Sequence, residues 1–164
     1  MRRFFLTVLL ATLSVACTFA QKRVFTIADL YKLRYVSGIT VSPDGTKIAY
    51  SQSASNLSKA KTMIDVYVMN CDGSNATRLT TDQKSYVSVW GKDGKDVYYV
   101  SSESGSSQMY RYSLENKKSE KLTDFSMGVD APVLSPDNQL IAFTAKVYPE
   151  CGADSKASKM ADSI

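Results

Sequence analysis

The sequence predicts an all-β chain: a partial β-propeller of two full four-stranded blades plus half of a third, preceded by a signal peptide and one short helix. Three observations carry this. Two short apolar runs joined by Ser42-Pro43-Asp44-Gly45 recur around Gly91-Lys92-Asp93-Gly94 and again around Ser135-Pro136-Asp137-Asn138. The runs themselves, such as Ile39/Val41 and Ile48/Tyr50, alternate with Thr40 and Ala49, the period-2 pattern of a strand. Finally, Leu79-Thr80 returns as Leu122-Thr123 and Tyr67 returns as Tyr110, each 43 residues later. Four-strand units at a period of about 40–45 residues are the mark of propeller blades.

Each element follows from local chemistry. Met1–Ala20 reads as a signal peptide over residues 1–20. Arg2-Arg3 is the positive start, Phe4–Ala16 the apolar core, too short to span a bilayer, and Thr18-Phe19-Ala20 the small-residue cleavage site, placing the cut between Ala20 and Gln21. Three other readings of the leader stand beside it: an uncleaved anchor, a lipoprotein box at Ser14-Val15-Ala16-Cys17, and a twin-arginine signal at Arg2-Arg3-Phe4-Phe5-Leu6. Residues 21–38 form an N-terminal segment with a helix over Phe25–Tyr35. There Thr26 is the N-cap, Asp29 falls at N3, Phe25 and Leu30 make a staple, and Gly38 ends the run.

The first blade is expected over residues 39–84. It has a hairpin through the Pro43 turn, an exposed loop at Gln52–Lys61, a strand at Ile64–Met69, a turn at Asn70–Gly73 and a return strand at Ala76–Thr80. The second, over 85–127, repeats the order: Val87–Trp90 with Val97–Ser101, a loop at Glu103–Ser107, then Gln108–Ser113, a turn, and Ser119–Thr123. The incomplete third, over 128–164, has Ala131–Leu134 and Ile141–Val147, followed by a loop through Tyr148–Asp154 and a polar Lys/Ser-rich stretch. One blade cannot bury both faces of its sheet, so this arrangement leaves blade faces that further blades would cover.

Composition excludes several functions. The chain has no histidine, so a Ser-His-Asp or Cys-His centre, or histidine-ligated zinc, cannot be built from these residues. The net charge is +4; without Arg2 and Arg3, 18 bases face 16 acids, scattered along the chain, which gives no reason to expect nucleic acid. Cys17 lies in the leader, while Cys71 and Cys151 stand 80 residues apart without metal-ligand spacing. They form a pair only in an oxidising compartment, and sequence does not settle whether they do. Asp44, Asp93 and Asp137 recur at matching turn positions, one per turn, which suits backbone capping and not a calcium loop. Trp90, Tyr98, Tyr99, Tyr110 and Tyr112 are read as packing between blades and not as a ligand platform. Asn56-Leu57-Ser58 and Asn75-Ala76-Thr77 fit the glycosylation sequon. No nucleophile elbow or phosphate loop is present. No catalytic, cofactor-binding or metal-binding residue is therefore assigned, no cofactor is called for, and no membrane contact is expected beyond a lipid anchor at Cys17.

Asp29-Leu30-Tyr31 with Leu33, then Val36-Ser37 and Val41-Ser42-Pro43-Asp44-Gly45, directly after a signal peptide, resembles the start of prolyl oligopeptidase family enzymes. The likeness is to the exported dipeptidyl-peptidase and acylaminoacyl-peptidase branch. Val68-Met69-Asn70 with Asp72-Gly73 and Leu79-Thr80 resembles the second half of their first blade, and the Tyr148-Pro149-Glu150-Cys151-Gly152-Ala153-Asp154 loop is similar to an insertion in that branch. The resemblance implies an exported, periplasmic or extracellular serine peptidase whose catalytic residues lie on an α/β-hydrolase domain beyond Ile164. The propeller would then limit access and bind peptide substrate. Its partners would be the remaining blades, that hydrolase domain and the peptides. The alternative is a non-catalytic exported propeller that binds protein partners, similar to the Tol-system propeller protein. That protein carries a separate α/β domain before its first blade, whereas here blades begin soon after the leader.

Overall fold

The computed structural model describes residues 23–150 except 138. The signal peptide at 1–20 with Cys17, the 151–154 part of the insertion loop with Cys151, and the 155–164 stretch lie outside the described residues. The chain divides into Met1–Leu30 and Tyr31–Ile164.

In the first unit a single helical turn, α1, spans Ile27–Leu30. The Asp29 carboxylate accepts the Thr26 backbone N–H at 2.9 Å and the Thr26 hydroxyl at 2.7 Å, and the Arg23 guanidinium binds it at 2.6 Å. The reaching-back arm of a capping box is therefore present. The helix is shorter than the sequence pattern predicts. A helix nucleus is costly, and from Arg34 onward the chain gains a ladder of sheet hydrogen bonds instead. Gly38, read as the helix stop, lies inside the first strand.

In the second unit three antiparallel sheets follow in chain order. Sheet one holds β1 (Arg34–Val41), β2 (Lys47–Asn56), β3 (Lys61–Asn70) and β4 (Thr77–Arg78). Sheet two holds β5 (Ser85–Trp90), β6 (Asp96–Ser101), β7 (Gln108–Ser113) and β8 (Lys118–Lys121). The third holds β9 (Val129–Leu134) and β10 (Ile141–Ala145). Strand order in the first two sheets is sequential, 1-2-3-4 and 5-6-7-8. This is the blade topology the repeat predicts, with each blade built from one continuous stretch of chain.

Two boundaries differ from expectation. The stretch 52–61 is not an open loop: β2 and β3 pair without interruption from Lys47↔Asn70 to Asn56↔Lys61. Its Ser- and Gln-rich composition suits strands with one wet face, and the reversal needs only residues 57–60, where the Asn56 side chain accepts the Lys59 N–H at 3.1 Å and the Ser58 hydroxyl at 2.8 Å. The fourth strand of the first blade is two residues long and not five, because its ladder is completed by other means. Leu79 N–H donates to the Val66 carbonyl at 2.8 Å, and Val66 N–H donates to the Thr80 hydroxyl at 3.0 Å. The second blade repeats this 43 residues on: Leu122 N–H to Met109 carbonyl at 2.8 Å, and Met109 N–H to the Thr123 hydroxyl at 2.9 Å.

Every first strand carries one extra residue against its partner. The register slips between Ser37 and Thr40, between Val87 and Val89, and between Asp130 and Val133. Gly38 and Ala131, equivalent by position, take φ of 60° and 47° there. Such bulges bend and twist a strand.

The core lies between blades. Ala49, Val66 and Val68 of the first blade pack against Trp90, Val97, Tyr99 and Tyr110 of the second. Tyr98, Met109 and Val129 form the next layer, with Val89, Leu122, Phe125, Leu134, Ile141 and Phe143 against it. The second blade is thus buried on both faces. On the first blade, Tyr50 and Tyr67 stand opposite each other across β2 and β3, on the face turned away from the second blade, and stack at 5.5 Å. Their counterparts Tyr99 and Tyr110 stack at 5.3 Å and are covered by the first blade. β1 adjoins β5 and β5 adjoins β9, so the first strands form the inner side of the arc.

Candidate functional site at the inner rim

The residues singled out in the sequence occupy structural positions. The Asp44 carboxylate accepts the Ser42 hydroxyl at 2.6 Å, the Thr46 N–H at 3.1 Å and the Thr46 hydroxyl at 2.8 Å. These bonds, the Ser42 one foremost, hold it down to about 2. Asp93 accepts the Lys95 N–H at 3.0 Å, and Asp137 accepts the Gln139 N–H at 3.1 Å together with the Ser135 hydroxyl. Each aspartate rigidifies its own turn. Trp90 reaches across the blade interface and donates Nε1–H to the Thr40 carbonyl at 3.0 Å. Tyr99 donates to Ser119 at 2.9 Å, and burial pushes its phenol up to about 12. Cys71 is exposed, with its thiol directed at the Gly45 carbonyl at 2.9 Å. The aromatics are inter-blade packing, as the strand pattern implies.

The arrangement with free chemistry lies elsewhere, where first strands begin. A hollow of about 450 Å³ opens between the second and third blades. Tyr86 of β5 and Asp130 of β9 are on its wall, at the same place in their strands, four residues before Trp90 and Leu134 respectively. Tyr86 donates its hydroxyl to Asp130 Oδ1 at 3.2 Å, and the Ala131 N–H reaches the same oxygen at 2.8 Å. Burial, then the Asp130 carboxylate, raises the Tyr86 phenol above its ordinary value. Ser107, Met127, Gly128, Thr144 and Lys146 complete the wall. The floor is tight. Gly128 sits at φ 80°, and a Cβ there would come within 2.8 Å of the Ser107 carbonyl oxygen; Val129 N–H bonds that same oxygen at 2.7 Å. Sequence reading passes over both Tyr86 and Asp130. Aligning the blades on their turns, and not on identical residues, is the signal that finds them.

Residues 31–159 match the PD40 model, described as the TolB beta propeller domain. The chain belongs to the PD40 family. Among proteins similar to this PD40 chain, the uncharacterized peptidase YuxL of Bacillus subtilis is 28% identical over 129 residues, covering 77% of this chain and 20% of that protein. Dipeptidyl-peptidase 5 of Porphyromonas gingivalis is 28% identical over 116 residues, covering 70% and 17%. A TolB candidate of Agrobacterium tumefaciens superposes at TM-score 0.54 with 28% identity, over 68% of this chain and 38% of that one. The β-propeller domain of the Trilobed protease of Pyrococcus furiosus superposes at 0.59 with 18% identity, over 76% and 38%, a likeness of fold. The chain therefore spans about a fifth of the length of the two peptidases it matches.

Proposed function

We propose that this PD40 chain is the N-terminal propeller segment of an exported serine exopeptidase that removes dipeptides or acylated residues from peptides, and that its blades gate and bind the peptide. The observation that carries this is the pairing of coverage: proteins named as peptidases align with 77% and 70% of this chain, yet the aligned parts are only 20% and 17% of those proteins. In this reading residues 39–84, 85–127 and 128–164 are two blades and the start of a third. The remaining blades and an α/β-hydrolase domain with the serine, aspartate and histidine come later in the intact protein. The absence of histidine from the 164 residues requires that the catalytic centre be supplied outside them. The leader at 1–20 sends the protein through the general secretory route to the periplasm or beyond, with a lipid anchor at Cys17 as the competing reading.

The family description and the Agrobacterium likeness favour a second reading, a non-catalytic exported propeller that docks protein partners. One experiment separates them. The intact protein read from the encoding DNA is expected to react with a fluorophosphonate serine probe and to release dipeptides from peptide substrates, while residues 21–164 alone do neither. An intact protein that neither labels nor hydrolyses, and whose reading frame stops after the last blade, overturns the peptidase reading.

A further inference from the structure

The cleft between the first and second blades ends, on the side where β3 and β7 stop, in a hollow of about 350 Å³. Its wall is apolar: Val68 and Leu79 from the first blade, Tyr112 and Leu114 from the second, the open end of the inter-blade core. Two lysines stand on it, one from each blade: Lys47, half-buried at the start of β2, and Lys117, exposed in the turn after β7. Among the described residues neither is ion-paired. The carboxylate that Lys47 acts on, Asp44, is already held by the Ser42 hydroxyl and the Thr46 groups. Blade equivalence marks this bare cation as a departure from the repeat. In the second blade the positions of Lys47, Val68 and Thr77 are taken by Asp96, Arg111 and Glu120. Those three charges answer one another: the Arg111 guanidinium is 2.5 Å from Glu120 and 3.9 Å from Asp96. In the first blade a valine and a threonine stand where the arginine and the glutamate would be, so one cation is left above an apolar floor without a counter-ion. Lys117 sits at φ 53°, where glycine would avoid the cost of a β-carbon, and it brings a second ammonium to the same hollow.

We propose that this hollow binds a small amphipathic carboxylate, its hydrocarbon chain against the apolar wall and its carboxylate held by Lys47 and Lys117. A neutral apolar molecule would leave both ammonium groups unanswered. A small hydrophilic anion would leave the wall wet, and a cation would be repelled. A single chain with an acid at one end satisfies the wall and the lysines together. The volume lies at the lower end of small-molecule sites. The inference stands apart from the peptidase reading, since no catalytic group enters it.

The test is calorimetric titration of the intact protein with octanoate, beside octanamide, which has the same tail and no charge, and acetate, which has the head alone. Octanoate is expected to bind at least about tenfold tighter than octanamide, as bonds to a charged group imply. It is expected to exceed acetate by at least about tenfold as well, since each buried methylene contributes about fourfold. Lys47→Met, which keeps the stem, is expected to remove most of the preference for acid over amide. Lys117→Gly is expected to weaken octanoate about threefold while leaving the unfolding midpoint no lower, because glycine relieves the left-handed strain. Thr77→Glu, at an exposed position, supplies the missing counter-ion from within and is expected to weaken octanoate at least about tenfold. The proposal falls if octanoate does not bind, or if octanamide or acetate binds as well as octanoate does. It also falls if Lys47→Met and Thr77→Glu both bind octanoate like the wild type, which would put the ligand elsewhere in the intact protein. Should Lys47→Met fail to fold by circular dichroism, Thr77→Glu still decides it.

Discussion

At the scale of single residues, the repeat is written in hydroxyls. Thr80 and Thr123 sit one blade apart and do the same thing: each ends the sheet by accepting a third-strand N–H, from Val66 and Met109, and each donates to a side-chain oxygen beneath it, Asp65 Oδ1 at 3.2 Å and Gln108 Oε1 at 2.8 Å. Asp65 and Gln108 are themselves buried, and each accepts a backbone N–H at 3.1 Å, from Gln83 and Phe125. Replacing either threonine by valine keeps the shape and leaves a buried N–H without a partner. Thr80→Val and Thr123→Val should each cost about 1–3 kcal/mol in urea unfolding of the intact protein; a loss within error would show that the hydroxyl is dispensable. One position shows the same rule by its failure. Ser126 lies three residues before β9, as Asp82 lies three before β5. Asp82 accepts the hydroxyls of Ser85 and Ser101, but the corresponding residues of the third blade are Val129 and Ala145. The Ser126 hydroxyl is left buried without a partner.

The turn aspartates make a pH prediction at the same scale. Asp44 is held down to about 2 by the Ser42 hydroxyl and the Thr46 groups, and Asp137 is lowered by its Ser135 and Gln139 bonds. A depressed carboxyl stabilises the folded state above its unfolded value. That contribution is lost as pH falls from about 4 to about 2. The unfolding midpoint should therefore drop across this window, and Asp44→Asn should flatten the dependence. A midpoint equally steep in the variant would remove Asp44 from the account.

At the scale of elements, the aromatic two residues after the first apolar residue of each second strand sets how blades meet. Tyr50, Tyr99 and Phe143 are equivalent, two residues after Ile48, Val97 and Ile141. Tyr99 packs on the first blade, and Phe143 packs edge-on to Phe125 of the second at 5.3 Å. Tyr99 and Phe143 both turn toward the preceding blade. Trp90 adds a directional bond that crosses from β5 to β1, onto the Thr40 carbonyl. Trp90→Phe should cost about 1–2 kcal/mol, from the lost bond and a small void. Amide exchange should speed up at the β1–β5 junction before it does at β7–β8. Uniform acceleration across both sheets would mean that Trp90 acts on global stability and not on the blade interface.

At the scale of the whole molecule, equivalence assigns a purpose to the face of the first blade turned away from the second. Tyr99 and Tyr110 look toward the first blade, so Tyr50 and Tyr67 look toward a blade that would precede the first, which in a closed ring is the last. The same face carries Val36 and Val41, both more than half exposed. Among the described residues the third sheet has two strands, so the outer edge of β10 pairs with nothing there. An apolar face and a bare strand edge both favour association. Purified residues 21–164 should show concentration-dependent association by sedimentation. A monodisperse monomer with a sharp unfolding transition would count against the propeller reading of that face.

What the sequence determined by itself was whatever local chemistry controls. Pro43-Asp44-Gly45 makes a turn wherever it occurs, alternation of Ile48 and Tyr50 with Ala49 makes a strand, and a 43-residue echo makes a second copy, so the blade repeat and the order of its strands were legible in the sequence. What only the tertiary structure decided was anything that depends on a distant partner. Whether Arg34–Ser37 is helix or strand turns on Ala54–Ser51 being there to pair with it. The length of β4 turns on the reach of the Thr80 hydroxyl. The meeting of Tyr86 and Asp130, 44 residues apart and different in kind, turns on two first strands converging at one rim. Periodicity records each residue's own preference for a face. It carries no record of which polar groups from successive copies will be brought within a hydrogen bond of one another.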